Sequence, residues 1–120
     1  MPDGRICYIE IPAIDVDASA RFFETALGWK SRVRGDGTRA FDDATGTVSG
    51  AWVLGRRPAR EPGLLAYVMV DSIDASLEKI TRAGGEAVTP RTPLSQHGEA
   101  FATFRDPAGN LFGLYQQPRR

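Results

Sequence analysis

Residues 15–19 read Asp-Val-Asp-Ala-Ser and residues 72–76 read Ser-Ile-Asp-Ala-Ser, 57 positions further on. Each stretch opens with a helix-capping side chain, because the oxygens of Asp15 and Ser72 can accept the free amide protons of a first turn. Apolar residues then recur at helical spacing: Val16, Ala20, Phe23 and Leu27 in the first, Leu77 and Ile80 in the second. Each segment ends on glycine at the same offset, Gly28 and Gly85, where the chain must leave its helix. Two amphipathic helices can share Asp-Ala-Ser by coincidence. Cap, tripeptide and terminal glycine together favour a duplication, and a repeat takes precedence in reading a fold.

Working outward, a strand-like run from Ile6 to Ile11 precedes the first helix and closes at Pro12. Short strands are expected near Trp29–Val33, Thr38–Phe41 and Val48–Leu54, parted by turns at Gly35–Gly37 and Gly46. Residues 56–63, with Pro58 and Pro62 among charges, read as a linker. The order then begins again. Leu64–Val70 is a strand, residues 73–83 a helix ended by Gly84 and Gly85, and strands follow near Glu86–Thr89, Ala100–Arg105 and Leu111–Tyr115. Gly46 and Gly50 are spaced as Gly109 and Gly113 are.

The expected fold class is therefore α+β: two tandem βαβββ modules, about residues 4–55 and 64–117, in one domain of 120 residues. Their curved mixed sheets would surround a cup-shaped cavity. Strand alternation assigns the faces. Cys7, Ile9 and Ile11 should cover the first helix and send Tyr8 and Glu10 into the cup. Ala66, Val68 and Val70 should cover the second and leave Leu65, Tyr67 and Met69 for the cup.

Composition bounds the function. Fifteen basic and fifteen acidic residues cancel, so no electrostatic footprint for nucleic acid is present. No stretch approaches the roughly 20 apolar residues that span a bilayer, and the opening residues lack the apolar run of a signal peptide. With Cys7 the lone cysteine, no intrachain disulfide can form. A cytoplasmic location is expected.

Three segments resemble one known family. YIEIPAIDVDASARFFETALGW (residues 8–29) looks like the opening of vicinal-oxygen-chelate domains, the glyoxalase, bleomycin-resistance and extradiol-dioxygenase superfamily. YVMVDSIDASLEKITRAGGEAVTP (67–90) resembles the start of their second module, and GEAFATFRDPAGNLFGLYQ (98–116) is similar to their closing hairpin. Asp-Pro-x-Gly-Asn also explains itself locally as a turn, and it is assigned no chemistry.

The resemblance implies a divalent metal held by one side chain each from the first, fourth, fifth and eighth strands, usually His, Glu or Gln. Carried onto this chain, those positions are Tyr8, Gly50, Leu65 and Gly113. Two glycines and a leucine offer no side-chain donor, and a lone phenol must lose a proton to ligate well. No metal or other cofactor is therefore expected.

Candidate ligand-binding residues are Tyr8, Glu10, Trp52, Tyr67 and Tyr115, an aromatic-lined cavity with one carboxylate. Burial there would raise the pKa of Glu10 and make it a base or hydrogen-bond acceptor; pairing with an arginine at a wet rim is the competing reading. Trp52 and Tyr115 could equally be core. His97, the lone histidine, lies in a Ser-Gln-His-Gly loop near the cup mouth, as an exposed loop residue or a mobile acid or base. Cys7 is expected to be a buried structural thiol.

The expected function is small-molecule binding without the family's metal. The alternative is a metal-dependent lyase, isomerase or dioxygenase of the glyoxalase type. A metal-independent enzyme using Glu10, Tyr8 or His97, and a regulatory subunit, stay open. Chains of this length resemble the superfamily's homodimers, and exposed strand edges favour pairing. A homodimer is expected.

Overall fold

A computed structural model describes residues 3–61 and 63–118. The first module runs β1 (Tyr8–Pro12), α1 (Val16–Leu27), β2 (Lys30–Val33), β3 (Arg39–Asp42) and β4 (Ser49–Val53). The second runs β5 (Tyr67–Val70), α2 (Ile73–Arg82), β6 (Glu86–Pro93), β7 (Ala100–Arg105) and β8 (Leu111–Gln116). Each module makes one four-stranded sheet, ordered β1-β4-β3-β2 and β5-β8-β7-β6. In both, the outer two strands of the chain order pair in parallel and the rest are antiparallel. The two βαβββ modules and the α+β class are as the sequence implied.

The caps act as the residue types require. Asp15 accepts a hydrogen bond from the Ala18 amide at 3.1 Å, and Ser72 from the Ala75 amide at 3.2 Å. Gly28 takes a left-handed conformation, φ 72°, and the Trp29 amide reaches back to the Phe23 carbonyl. The 57-residue offset also survives in the ladders. Glu10 pairs with Ala51 as Tyr67 pairs with Gly113, and Ile11 with Trp52 as Val68 with Leu114.

The two helices pack on each other, and one continuous core fills the space between them and the inner faces of both sheets. Its centre is aromatic. Phe23 stacks on Trp29 at 4.5 Å, Trp29 on Phe41 at 4.7 Å, and Phe104 on Phe112 at 5.6 Å. Such pairs add about 0.5–1.5 kcal/mol each beyond their burial. Phe22 joins α1 to the second sheet, its ring 6.1 Å from Phe104.

Strand bounds differ from expectation by a residue or two in β1 (Tyr8–Pro12, not Ile6–Ile11), β2, β3, β4 and β8, and by more in two places. β5 begins at Tyr67, leaving Leu64 fully exposed outside it. β6 continues four residues beyond Thr89, through Pro90 to Pro93, with breaks in register. Proline is tolerated because β6 is the sheet's edge, where an amide need not join the ladder.

The Asp-Pro-Ala-Gly-Asn turn does more than reverse the chain. Asn110, 2% exposed, donates to the Pro12 carbonyl at 2.7 Å and to Asp106 Oδ2 at 2.9 Å. Its Oδ1 accepts from the Ala59 amide at 2.7 Å. One side chain thus ties together the end of β1, the inter-module segment and the closing hairpin. Removing a buried, satisfied amide strands its partners, at about 1–3 kcal/mol for each group left unpaired. Asn110→Ala should therefore lower unfolding free energy by about 3 kcal/mol, read as a fall in urea midpoint with little change in slope; a change under a third of that would show the clasp to be dispensable.

Candidate functional site

The outward faces of the two sheets carry the polar and aromatic side chains that the core does not use. On sheet one these are Tyr8 and Glu10 of β1, Ser49 and Ala51 of β4, Ala40 and Asp42 of β3, and Lys30 and Arg32 of β2, by register. On sheet two they are Tyr67 and Met69, Gly113 and Tyr115, Phe101 and Thr103. Tyr8 is 44% exposed, Tyr67 51% and Met69 60%. The outer faces are thus exposed along β1 and β5, while Ala40, Ala51 and Thr103 further in are buried.

Tyr67, Phe101, Tyr115 and Leu94 line a shallow groove of about 350 Å³ on sheet two. The Tyr115 hydroxyl donates to the Glu99 carboxylate, and Gln116 holds the same loop through the Gly98 carbonyl at 3.0 Å. The bond to Glu99 raises the Tyr115 phenol above its ordinary pKa, with desolvation adding to it. Thr103 is 8% exposed, and its hydroxyl is buried with no partner among the described residues.

Sheet one presents charge instead. Arg34, just past β2, donates to the Tyr8 hydroxyl and sits 5.4 Å from the centre of its ring. Arg56 pairs with Glu10 at 2.9 Å, and Arg32 with Asp42. A larger groove, about 770 Å³, lies elsewhere: it opens between the modules over the inner faces of β1 and β5, with Ile9, Ile11 and Val68 on its walls and Glu24, Asp71 and Lys79 at its edge. It holds Tyr67 but no other expected ligand-binding residue.

The structure corrects several expectations. Trp52 is not a cavity residue. It is 3% exposed in the core, 5.0 Å from Phe41 and 6.0 Å from Phe23. Gly50 shares that inner face, since its strand partners are Ile9 and Phe41. The cause is one residue of loop. Four residues separate the bonded Asp43 and Val48 in the first hairpin, but three separate Asp106 and Asn110 in the second. Matching the glycines therefore slips the fourth strand by one, and the position equivalent to Gly113 is Ala51.

Glu10 does face outward, but it is exposed and bridged to Arg56 rather than desolvated. Cys7 is a free, exposed thiol lying before β1, not a buried one. His97 is exposed in the turn after Leu94, its amide on Ser95 Oγ at 3.2 Å. Tyr67 and Tyr115 are brought together; Tyr8 and Glu10 are on the other sheet. Sequence reasoning missed Arg34, Arg56, Phe101 and Glu99. Phe101 was legible from the alternation of β7, but the arginines lie at loop positions that no period marks.

The family's metal positions fall on Tyr8, Ala51 and Gly113 within the ladders and on Leu65 just before β5. Only Tyr8 carries a donor. The space a side chain at 113 would enter is taken by Tyr67, whose ring atoms would stand 2.4 Å from an added Cβ. No cluster of three His, Cys, Asp or Glu able to hold an ion occurs among the described residues. These residues do not fit a divalent cation.

The comparisons with known proteins agree with this architecture. The chain belongs to the Glyoxalase/Bleomycin resistance protein/Dioxygenase superfamily, whose family model matches residues 5–114. A glyoxylase-like domain-containing protein of Didymella fabae is 31% identical across 96% of this chain and 95% of its own length. Among solved structures, protein SA1046 from S. aureus superimposes with a TM-score of 0.76 at 19% identity, covering 98% of this chain and 96% of that one. A variant of the fosfomycin resistance protein FosX from Listeria monocytogenes, complexed with Mn(II) and a dihydroxypropylphosphonic acid, gives 0.74 at 19%, covering 96% and 90%. No helix among the described residues is long and apolar enough to cross a membrane.

Two substitutions separate the inner and outer glycines. An added Cβ at Gly50 meets the Ile9 carbonyl oxygen at 1.9 Å, a backbone atom, so Gly50→Ala should cost about 3 kcal/mol of overpacking. At Gly113 the obstacle is a tyrosine side chain half open to solvent, so Gly113→Ala should cost less and displace the ring. Equal losses in chemical denaturation would contradict this placement. Independently, Glu99→Gln should move one tyrosine ionisation to lower pH in an ultraviolet titration; an unchanged curve would show that the Tyr115–Glu99 bond does not form in solution.

Proposed function

We propose that this chain binds a small molecule without a metal, and does so as a homodimer in which sheet one of each copy faces sheet two of the other. The observation that carries this reading is the exchange at the family's ligand positions: donors are missing there, while exposed aromatic side chains line the same face. Glycine at 113 leaves room for the Tyr67 ring, so the outer face of sheet two is shaped for apolar contact instead of coordination. Tyr8, Glu10, Tyr67 and Tyr115 are the ligand-facing residues of this proposal, joined by Phe101 and Arg34.

The exposed faces support the dimeric part of this reading. A surface with Tyr67 and Met69 more than half exposed is costly in water, and a two-fold partner covers it at both ends of the molecule. The free thiol of Cys7 suits a reducing compartment, and we place the protein in the cytoplasm.

Three measurements test the proposal together. Light scattering should give twice the 13.1 kDa chain mass. Elemental analysis of protein purified without chelator should find no stoichiometric divalent ion. Flat aromatic compounds should raise the melting temperature, since a ligand at a hundred times its Kd adds about 2.7 kcal/mol to the native state. One tightly held ion per chain would replace this reading with a metal-dependent lyase, isomerase or dioxygenase, the reading that the Mn(II)-bound FosX relative favours.

A further inference from the structure

The outer face of sheet one holds hydrogen-bond donors with no ligand of their own. Arg34 spends one Nη on the Tyr8 hydroxyl. That hydroxyl accepts from Arg34, so its own proton is free to donate, as are the remaining guanidinium N–H groups. Asp36 and Glu10 lie within Coulombic range of Arg34, yet neither forms an ion pair with it: Asp36 bonds Thr38, and Glu10 bonds Arg56. Arg32 is matched by Asp42. Lys30, on the same face of β2 by register, has no ion pair among those found in the described residues. Arg34 and Lys30 are thus cations without an ion pair among those found in the described residues, and the centre of the sheet beside them carries only the small, buried side chains of Ala40 and Ala51.

Sheet two differs: its outward arginine by register, Arg105, donates to the Arg60 and Gly109 carbonyls at 2.7 and 3.3 Å, at the far end of β7 from Phe101. Around its groove the outer face presents Tyr67, Phe101, Leu94 and Tyr115, and the Glu99 carboxylate there is already bonded to Tyr115. The two faces are complementary halves: one offers donors and positive charge, the other apolar rings.

We propose that the ligand is an amphipathic anion, its flat or apolar body on Tyr67, Phe101 and Tyr115 of one copy and its carboxylate, phosphate or phosphonate group on Arg34 and Tyr8 of the other. This rests on the metal-free, dimeric reading above and specifies the ligand's charge. A planar guanidinium with a phenol beside it presents two or three N–H and O–H donors, a set that an oxyanion with several charged acceptor oxygens matches better than a neutral amide with one. Coulombic attraction adds to it and must weaken with salt.

The test uses phenylacetate, phenylphosphonate and neutral phenylacetamide as matched probes, titrated by ligand-observed NMR at low and high salt. Both anions should bind roughly tenfold more tightly than the amide at low salt, with the preference shrinking as salt rises. Arg34→Ala should abolish the preference, weakening both anions far more than the amide. Tyr115→Ala should weaken all three probes alike. A mixed dimer of R34A and Y115A chains, isolated through two different tags, should retain about one anion-preferring site per dimer, because one of its two sites draws both intact residues. Equal binding of amide and anions, or a preference that survives in R34A, overturns the charge assignment and leaves the binding function standing. Absence of binding by all three probes overturns the binding function itself.

Discussion

The buried carboxamide of Asn110 bonds three separate stretches of chain and fixes how the modules meet. Its nitrogen holds the Pro12 carbonyl at the end of β1, its oxygen holds the Ala59 amide, and Asp106 completes the set. Leu111 adds a backbone bond to Ala59 at 2.7 Å. Among the described residues the two sheets share no ladder, so this clasp, the helix–helix packing and the shared aromatic core together set the relation between their outer faces. Asp106 shows the tension in such a site. Burial raises its carboxyl above the ordinary value, while bonds from Asn110 and Ala108 pull it down, and burial prevails. The folded state then holds that proton more tightly than the unfolded chain does. The stability gained is full below the unfolded carboxyl pKa and fades as pH rises through the folded one.

Local rules were readable where local physics decides. Asp15 and Ser72 cap because their oxygens reach the amides three residues on, and Gly28 ends its helix because a left-handed residue is needed there. The offset between Glu10 and Tyr67 was readable too, since the strand-to-helix connections are equally long in both modules. The fourth strand was not. Its register depends on the length of a turn, and Asp43–Val48 carries one residue more than Asp106–Asn110. A one-residue slip turns every side chain over. Gly50 and Trp52 therefore moved to the core together, while Gly113 and Tyr115, placed by the shorter turn, stayed outward.

The same register explains why the halves of a duplicated fold can differ so much outside the core. Inner positions are constrained by shared packing: Ile11 and Val68, or Trp52 and Leu114, remain apolar on both sides. Outer positions have no such partner within the chain. Glu10 occupies in sheet one the place Tyr67 has in sheet two, and Ala51 the place of Gly113. Divergence has concentrated charge on one face and rings on the other.

That segregation bears on what the outer faces can hold. A divalent ion needs several donors arranged around a point, and each donor must lose its hydration to bind. Here the carboxylates that could serve are already neutralised, Glu10 by Arg56 and Asp42 by Arg32. Releasing either would cost its ion pair and leave an arginine unmatched beside the incoming cation. The arginine–tyrosine pair at Arg34 and Tyr8 has the opposite sign of demand: it has donors to spare and no acceptor, so an anion satisfies it without displacing anything. The glycine at 113 completes the logic from the other sheet. Where a coordinating side chain would stand, the Tyr67 ring lies against bare backbone, and a flat molecule can rest on that ring.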